Sequence, residues 1–242
     1  MSKNKNKTNK SGSVTVVGSH KKANIIVAVV VGIAALILIA VAVLCSVRVD
    51  PLDGLKKPER YDLYKVGTSA PMSTNDGEQS KIRNALNDMD FSVMNAILQW
   101  NWDYSYNFKR DGDGKKIQMT AEAISNIGAT NSEYMVEYVY KPAQYKYDPT
   151  ESKSVLEYST AQSLKVDGET IYFDRVKVLI GNTAGSVGEI TLYPYLYDRV
   201  NNKVADGGEA YDSYRVTPIK VRANTTTAYA ALAEIVRLNE IG

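Results

Sequence analysis

Residues 25–47 contain no charged side chain, and only Gly32 and Ser46 interrupt their apolar character. A helix rises about 1.5 Å per residue, so this stretch is about 34 Å long. That is enough to cross a hydrocarbon core of about 30 Å. The run divides the chain into a basic tail (1–24), a transmembrane helix (25–47) and a large remainder on the far side of the membrane.

The flanking charges set the expected orientation. Lys3, Lys5, Lys7, Lys10, Lys21 and Lys22 precede the run, with no Asp or Glu among them. Arg48, Asp50, Asp53, Lys56, Lys57, Glu59 and Arg60 follow it as a mixture. Lys and Arg in short flanking segments stay on the cytoplasmic side. The expectation is a single-pass signal-anchor protein of the cell membrane, N-terminus cytoplasmic and C-terminal domain extracytoplasmic. The tail reads as a topology signal, because spaced lysines among Asn, Ser and Thr make only a weak, salt-screened patch for anionic lipid or nucleic acid. Two rival readings exist. Ala40-Val41-Ala42 has the small-x-small form of a signal-peptidase site. The apolar run continues past it through Val43, Leu44 and Val47, well beyond the roughly 7–15 residues of a secretory leader. Cys45 as a lipidated residue would follow Leu44, which is bulky where a small residue is wanted.

Composition then excludes several chemistries. The chain has 29 Lys+Arg against 27 Asp+Glu. With the tail lysines set aside, the remainder is mildly acidic, which argues against a nucleic-acid partner. The single Cys is Cys45, inside the apolar run, and the single His is His20, in the tail. The exported part therefore has no disulfide, thiol nucleophile, Ser-His-Asp triad or His-ligated zinc. Lack of disulfides leans toward a bacterial surface protein. Ser-x-x-Lys occurs only as Ser2 with Lys5 and Ser19 with Lys22, both in the tail. Asp111-Gly112-Asp113-Gly114 fails as a calcium loop: with Gly114 at the sixth position, Lys109 falls at the first and Thr120 at the twelfth. It reads as a hairpin turn, and no metal or cofactor is expected. Paired-carboxylate hydrolysis needs two acids about 5–9.5 Å apart, and no spacing selects a pair. Nothing distinguishes Asp103 or Glu137 from solvated acids.

Residues 48–79 read as an extracytoplasmic stalk. Pro51, Pro58, Pro71, Gly54, Gly67 and Gly77 are scattered through charged and polar sequence, which cannot offset its ordering entropy by burial. The patch Tyr61-Asp62-Leu63-Tyr64 could dock locally. Residues 80–242 then form an α+β domain. Ile82, Leu86, Met89, Val93, Ile97 and Trp100 make a helical apolar stripe. Thr74, Asn75 or Asp76 can cap it, and Asp90 and Ser92 are places where it could break. Strand signals follow at 117–123, 134–141, 155–158, 164–166, 170–180, 188–197 and 214–223. Turn chemistry at Asp167-Gly168, Asn201-Asn202 and Asp206-Gly207-Gly208 divides several of them. Val166-Asp167-Gly168-Glu169-Thr170 has the form of a tight hairpin. No helical stretch separates the strands, so a mainly antiparallel sheet or sandwich is expected, flanked by an N-terminal and a C-terminal helix. The last helix is capped at Asn224 or Thr225, with Tyr229, Leu232, Ile235 and Val236 on its apolar face.

Tyrosine supplies the candidate binding residues. All 17 lie after residue 60. In the strand around 190, Ile190, Leu192, Pro194 and Leu196 alternate with Tyr193, Tyr195 and Tyr197. The aliphatic set belongs on the core, and the tyrosines would stand as a ladder about 7 Å apart. Pro194 suggests an edge strand or a bulge. Tyr134, Tyr138 and Tyr140 share a face of another strand. Trp100 and Trp102 begin an alternating aromatic run with Tyr104, Tyr106 and Phe108. Such rings pair an apolar surface with a wet hydroxyl, which suits protein interfaces and sugar rings. Core packing is the default reading for all of them. The expected function is non-catalytic binding or scaffolding at the cell envelope, as one subunit of an assembly with a protein partner. A glycan- or wall-binding module using the Tyr-rich face is the first alternative, and a carboxylate hydrolase the second. Ala28 and Gly32 form a small-x-x-x-small pair that lets helices approach. Oligomeric state stays open.

Overall fold

The computed structural model describes residues 17–94, 109–110, 117–119, 121–130, 133–150, 152–166, 168–182, 187–197, 214–216 and 218–241. The chain separates into two compact units, Met1–Ser46 and Val47–Gly242. The first contains helix α1 (Val17–Ser46). Within it, Asn24–Ser46 is long and apolar enough to cross a membrane, and none of it is buried in the protein.

The second unit is a mixed α+β fold. Among the described residues its helices are α2 (Asp76–Asn87), α3 (Ala121–Ser125) and α4 (Thr226–Ile241). Its strands are β1 (Arg48–Val49), β2 (Arg60–Tyr64), β3 (Phe91–Ser92), β4 (Lys109–Arg110), β5 (Ile117–Met119), β6 (Tyr134–Val139) and β7 (Tyr145–Asp148). They continue with β8 (Lys153–Leu156), β9 (Gln162–Val166), β10 (Glu169–Phe173), β11 (Arg175–Ile180), β12 (Gly188–Tyr195), β13 (Tyr214–Val216) and β14 (Ile219–Ala223). The main sheet has six strands in the order β2-β6-β11-β12-β14-β4, each antiparallel to its neighbours. Among the described residues there are also four two-stranded ladders, β1–β3, β5–β13, β7–β8 and β9–β10.

One face of the main sheet carries the larger core. Leu63, Val136, Tyr138, Val176, Val178, Ile180, Ile190, Leu192, Ile219 and Val221 meet Ile82, Ala85 and Leu86 of α2 and Ala228, Leu232, Ile235 and Val236 of α4. Period two along the strands meets period 3.6 along the helices, so each element gives one apolar face. The opposite face carries a smaller core of Tyr64, Ile124, Ile127, Met135, Leu179, Tyr195 and Val216. Strand β11 is consequently buried along its whole length.

Local chemistry explains the boundaries. Asn75 caps α2: its side chain accepts from the Glu78 N–H at 3.0 Å, and the Glu78 carboxylate accepts from the Asn75 N–H at 2.9 Å. This reciprocal pair satisfies two of the orphan donors of the first turn. The helix ends at Asp88, and Phe91–Ser92 becomes a strand, so the apolar stripe breaks where Asp90 and Ser92 suggested. Ile97, Trp100 and Trp102 lie outside the described residues, as does the Asp111–Gly114 turn. The β9–β10 hairpin forms as expected, Val166 facing Glu169, with Gly168 at φ +81°, a conformation that favours glycine.

Four expectations need correction. Residues 48–79 belong to the folded unit instead of a stalk: Leu52, Leu55, Tyr61 and Leu63 enter the main core, and β2 pairs with β6 over its full length. Residues 170–180 form two strands, because Asp174 turns its backbone and side chain to other partners. Residues 121–123, expected to continue the strand from 117, instead open the helix Ala121–Ser125. Strand β12 is interior rather than an edge. Pro194 is tolerated because its nitrogen points toward β14, and that ladder stops at Leu192.

A stalk residue can be changed at a cost within about 0.5 kcal/mol. Leu63→Ala should instead cost about 2–5 kcal/mol of unfolding free energy, read from the midpoint of chemical denaturation of the full chain in detergent.

Candidate functional site

The second face of the main sheet holds a group of ionisable side chains in register. Asp62 lies opposite Glu137, Glu137 opposite Lys177, and Lys177 opposite Tyr193. One row along, Arg175 faces Tyr195. Glu137 is 5% exposed and Lys177 3%. A buried carboxylate or ammonium is costly unless it is hydrogen-bonded, and each one here is.

Glu137 accepts from two tyrosines: Tyr64 donates to Oε2 at 2.6 Å, and Tyr195 donates to Oε1. Lys177 donates through Nζ to the Ile124 carbonyl at 2.8 Å and the Ser125 carbonyl at 3.4 Å. These carbonyls close the C-terminal turn of α3, where a positive charge is favoured. The ammonium also lies 5.3 Å from the Tyr64 ring centroid. Arg175 Nη1 donates to the Tyr140 and Asp174 carbonyls, both at 2.8 Å, and its guanidinium lies 4.7 Å over the Tyr197 ring. The fully buried Asp174 carboxylate accepts from the Ala143 and Tyr197 N–H groups, each at 2.8 Å. It thereby ties the end of β6 to the end of β12.

Burial governs the ionisation of this layer. It pushes the Tyr64 and Tyr195 hydroxyls above the ordinary tyrosine range, and the Glu137 carboxylate beside them adds to the rise. It pushes Lys177 below its ordinary value, an effect that Glu137 partly offsets. The protons stay on the tyrosines, which is the state needed to donate to Glu137. The chemistry available is therefore anchorage: Glu137 and Lys177 spend these bonds on the sheet and on α3. Among the described residues, no group of three or more His, Cys, Asp and Glu side chains is placed to hold a metal ion.

The tyrosines singled out from the sequence divide between the two faces. Tyr138 is buried in the main core, edge-on to Tyr61 at 5.0 Å and 6.4 Å from Tyr140. Tyr140 packs on Phe173 at 5.8 Å and donates to the Lys56 carbonyl at 2.7 Å. Tyr134 is half-buried against Tyr229 at 4.8 Å. On the other face Tyr195 is buried, Tyr193 is half-buried against the smaller core, and Tyr197 is 41% exposed beneath Arg175. These six make no continuous exposed ladder. Trp100 and Trp102 lie outside the described residues.

Sequence reasoning passed over the charged layer. Glu137 between Val136 and Tyr138, and Lys177 between Val176 and Val178, are charges inside apolar strand runs, and that was the available signal. It also passed over the exposed rings of Tyr147 and Tyr158, the latter 4.6 Å from Tyr172. No protein-family model, curated protein or solved structure matches the chain.

Tyr195→Phe leaves one oxygen of Glu137 without its donor and should cost about 1–3 kcal/mol. The pH dependence has a definite sign. Tyr64 and Tyr195 are raised from 10.0, so the unfolded chain loses those protons first. Their contribution is complete below pH 10 and is lost as pH rises above it. Lys177 acts oppositely: it is lowered from 10.5, so the unfolded chain holds its proton longer and stability gains as pH approaches that value. Denaturation midpoints between pH 8 and 12 should fall more gently for Tyr64→Phe/Tyr195→Phe than for wild type.

Proposed function

We propose that this chain is a single-pass membrane protein that holds its folded unit on the extracytoplasmic side of a cell envelope, where it binds or scaffolds protein partners without catalysis. The observation that carries the reading is the unburied apolar helix Asn24–Ser46. Lysines stand before it and mixed charges after it, which favours a cytoplasmic N-terminus. The inward-directed bonds of Glu137, Lys177 and Asp174 support a rigid binding body over a reactive centre. Glycan binding is the second reading, and the exposed rings of Tyr147 and Tyr158 favour it, since an exposed ring can stack on a sugar face.

Protease applied to intact cells should digest the chain after residue 47 and leave the tail protected, detected with tags at the two ends. A mature N-terminus near Val43 would replace the anchor with a cleaved leader. Full-length chain captured from native membranes should bring down envelope protein. Recovery of wall polymer alone, lost on Tyr158→Ala, would instead establish the glycan reading.

A further inference from the structure

Strand β2 forms one margin of the main sheet. Antiparallel ladders alternate, so one set of β2 residues bonds β6 and the other turns its backbone N–H and C=O outward. Tyr61 and Leu63 are the outward set. The Gln79 carboxamide on α2 accepts from the Tyr61 N–H at 2.8 Å and donates to the Tyr61 carbonyl at 2.6 Å. The Met72 N–H donates to the Leu63 carbonyl at 2.7 Å. One side chain thus makes with Tyr61 the pair of bonds that an added strand residue would make.

The arrangement is held from behind. Gln79 also donates to Thr74 Oγ1 at 2.8 Å. The Asn75–Glu78 capping box fixes the first turn of α2, and Glu78 Oε1 accepts from Asn239 of α4 at 2.7 Å. The segment between β2 and Gln79 therefore returns along the edge it follows in sequence, tethered at both ends.

We propose that residues 65–79 are a strap closed over a self-pairing edge: when the strap is released, β2 pairs antiparallel with β2 of a second copy of this chain. An open antiparallel edge is complementary to itself. A two-fold axis at Asp62 sets Tyr61 of each copy opposite Leu63 of the other. Residues so paired exchange both hydrogen bonds, which takes up the groups that Gln79 and Met72 hold in the closed form. Asp62 then faces its own copy across the axis, and like charges directly opposite repel. Its pairing with Arg60 at 2.9 Å tempers that repulsion.

The test uses the full chain in detergent micelles with Cys45→Ser throughout. Met72→Pro/Gln79→Ala removes the Met72 donor and the Gln79 carboxamide. Its dimerisation constant, by sedimentation equilibrium, is compared with that of the parent, and amide exchange is read at Tyr61. Exchange should quicken about tenfold or more as the edge opens, and the dimer should tighten about tenfold, with Asp62→Asn tightening it further. Unchanged exchange at Tyr61 overturns the strap, and faster exchange with an unchanged dimerisation constant overturns the self-pairing edge. Gln79→Ala alone leaves the Met72 bond and the α2 core intact. It decides the matter by the same two readings if the double variant does not fold.

Discussion

Strands β6 and β11 are buried on both faces, and every polar group on them must find its partner inside the protein. On the helix-covered face the side chains are aliphatic or aromatic, and packing suffices. On the other face the ionisable side chains of Glu137, Lys177 and Arg175 enter the interior. Two tyrosine hydroxyls, the last carbonyls of a short helix and the carbonyls at the strand ends answer them. Removing one member of such a network leaves a buried group unsatisfied, so the layer is intolerant of single changes. It ties β2, β6, β11, β12 and α3 into one body.

Asp174 plays the equivalent part at the end of the strands. Its backbone and carboxylate reach residues 140, 143, 195 and 197. At this residue the run 170–180 divides: β11 lies in the main sheet, and β10 pairs with β9 while Phe173 still packs in the main core.

Much of this was legible in advance. The apolar run, the Asn75 cap, the Gly168 hairpin and the apolar face of α4 depend on local pattern, and local pattern is what sequence displays. What failed depends on distant partners. Prolines and charges in 48–79 disguise Leu52, Leu55, Tyr61 and Leu63, which become core only because β6 and α2 arrive to cover them. The Tyr193–Tyr197 alternation was real, yet alternation says only that there are two faces. It does not say that a second core covers one of them. Glu137 could not be told from a solvated acid, because its answering groups, Tyr64 and Tyr195, stand far from it in the chain.

The pairing of β2 with β6 also sets a schedule. Tyr64 and Glu137 are 73 residues apart in sequence, and the edge strand has no ladder partner until β6 has been synthesised. Contacts so distant make folding slow, because the intervening loop must close before any bond rewards it. A chain emerging N-terminus first therefore holds Tyr61 and Leu63 uncovered while later residues are still being made. Strand pairing becomes possible once residue 139 is free, and the core that Leu63 joins is complete only when Val236 has followed.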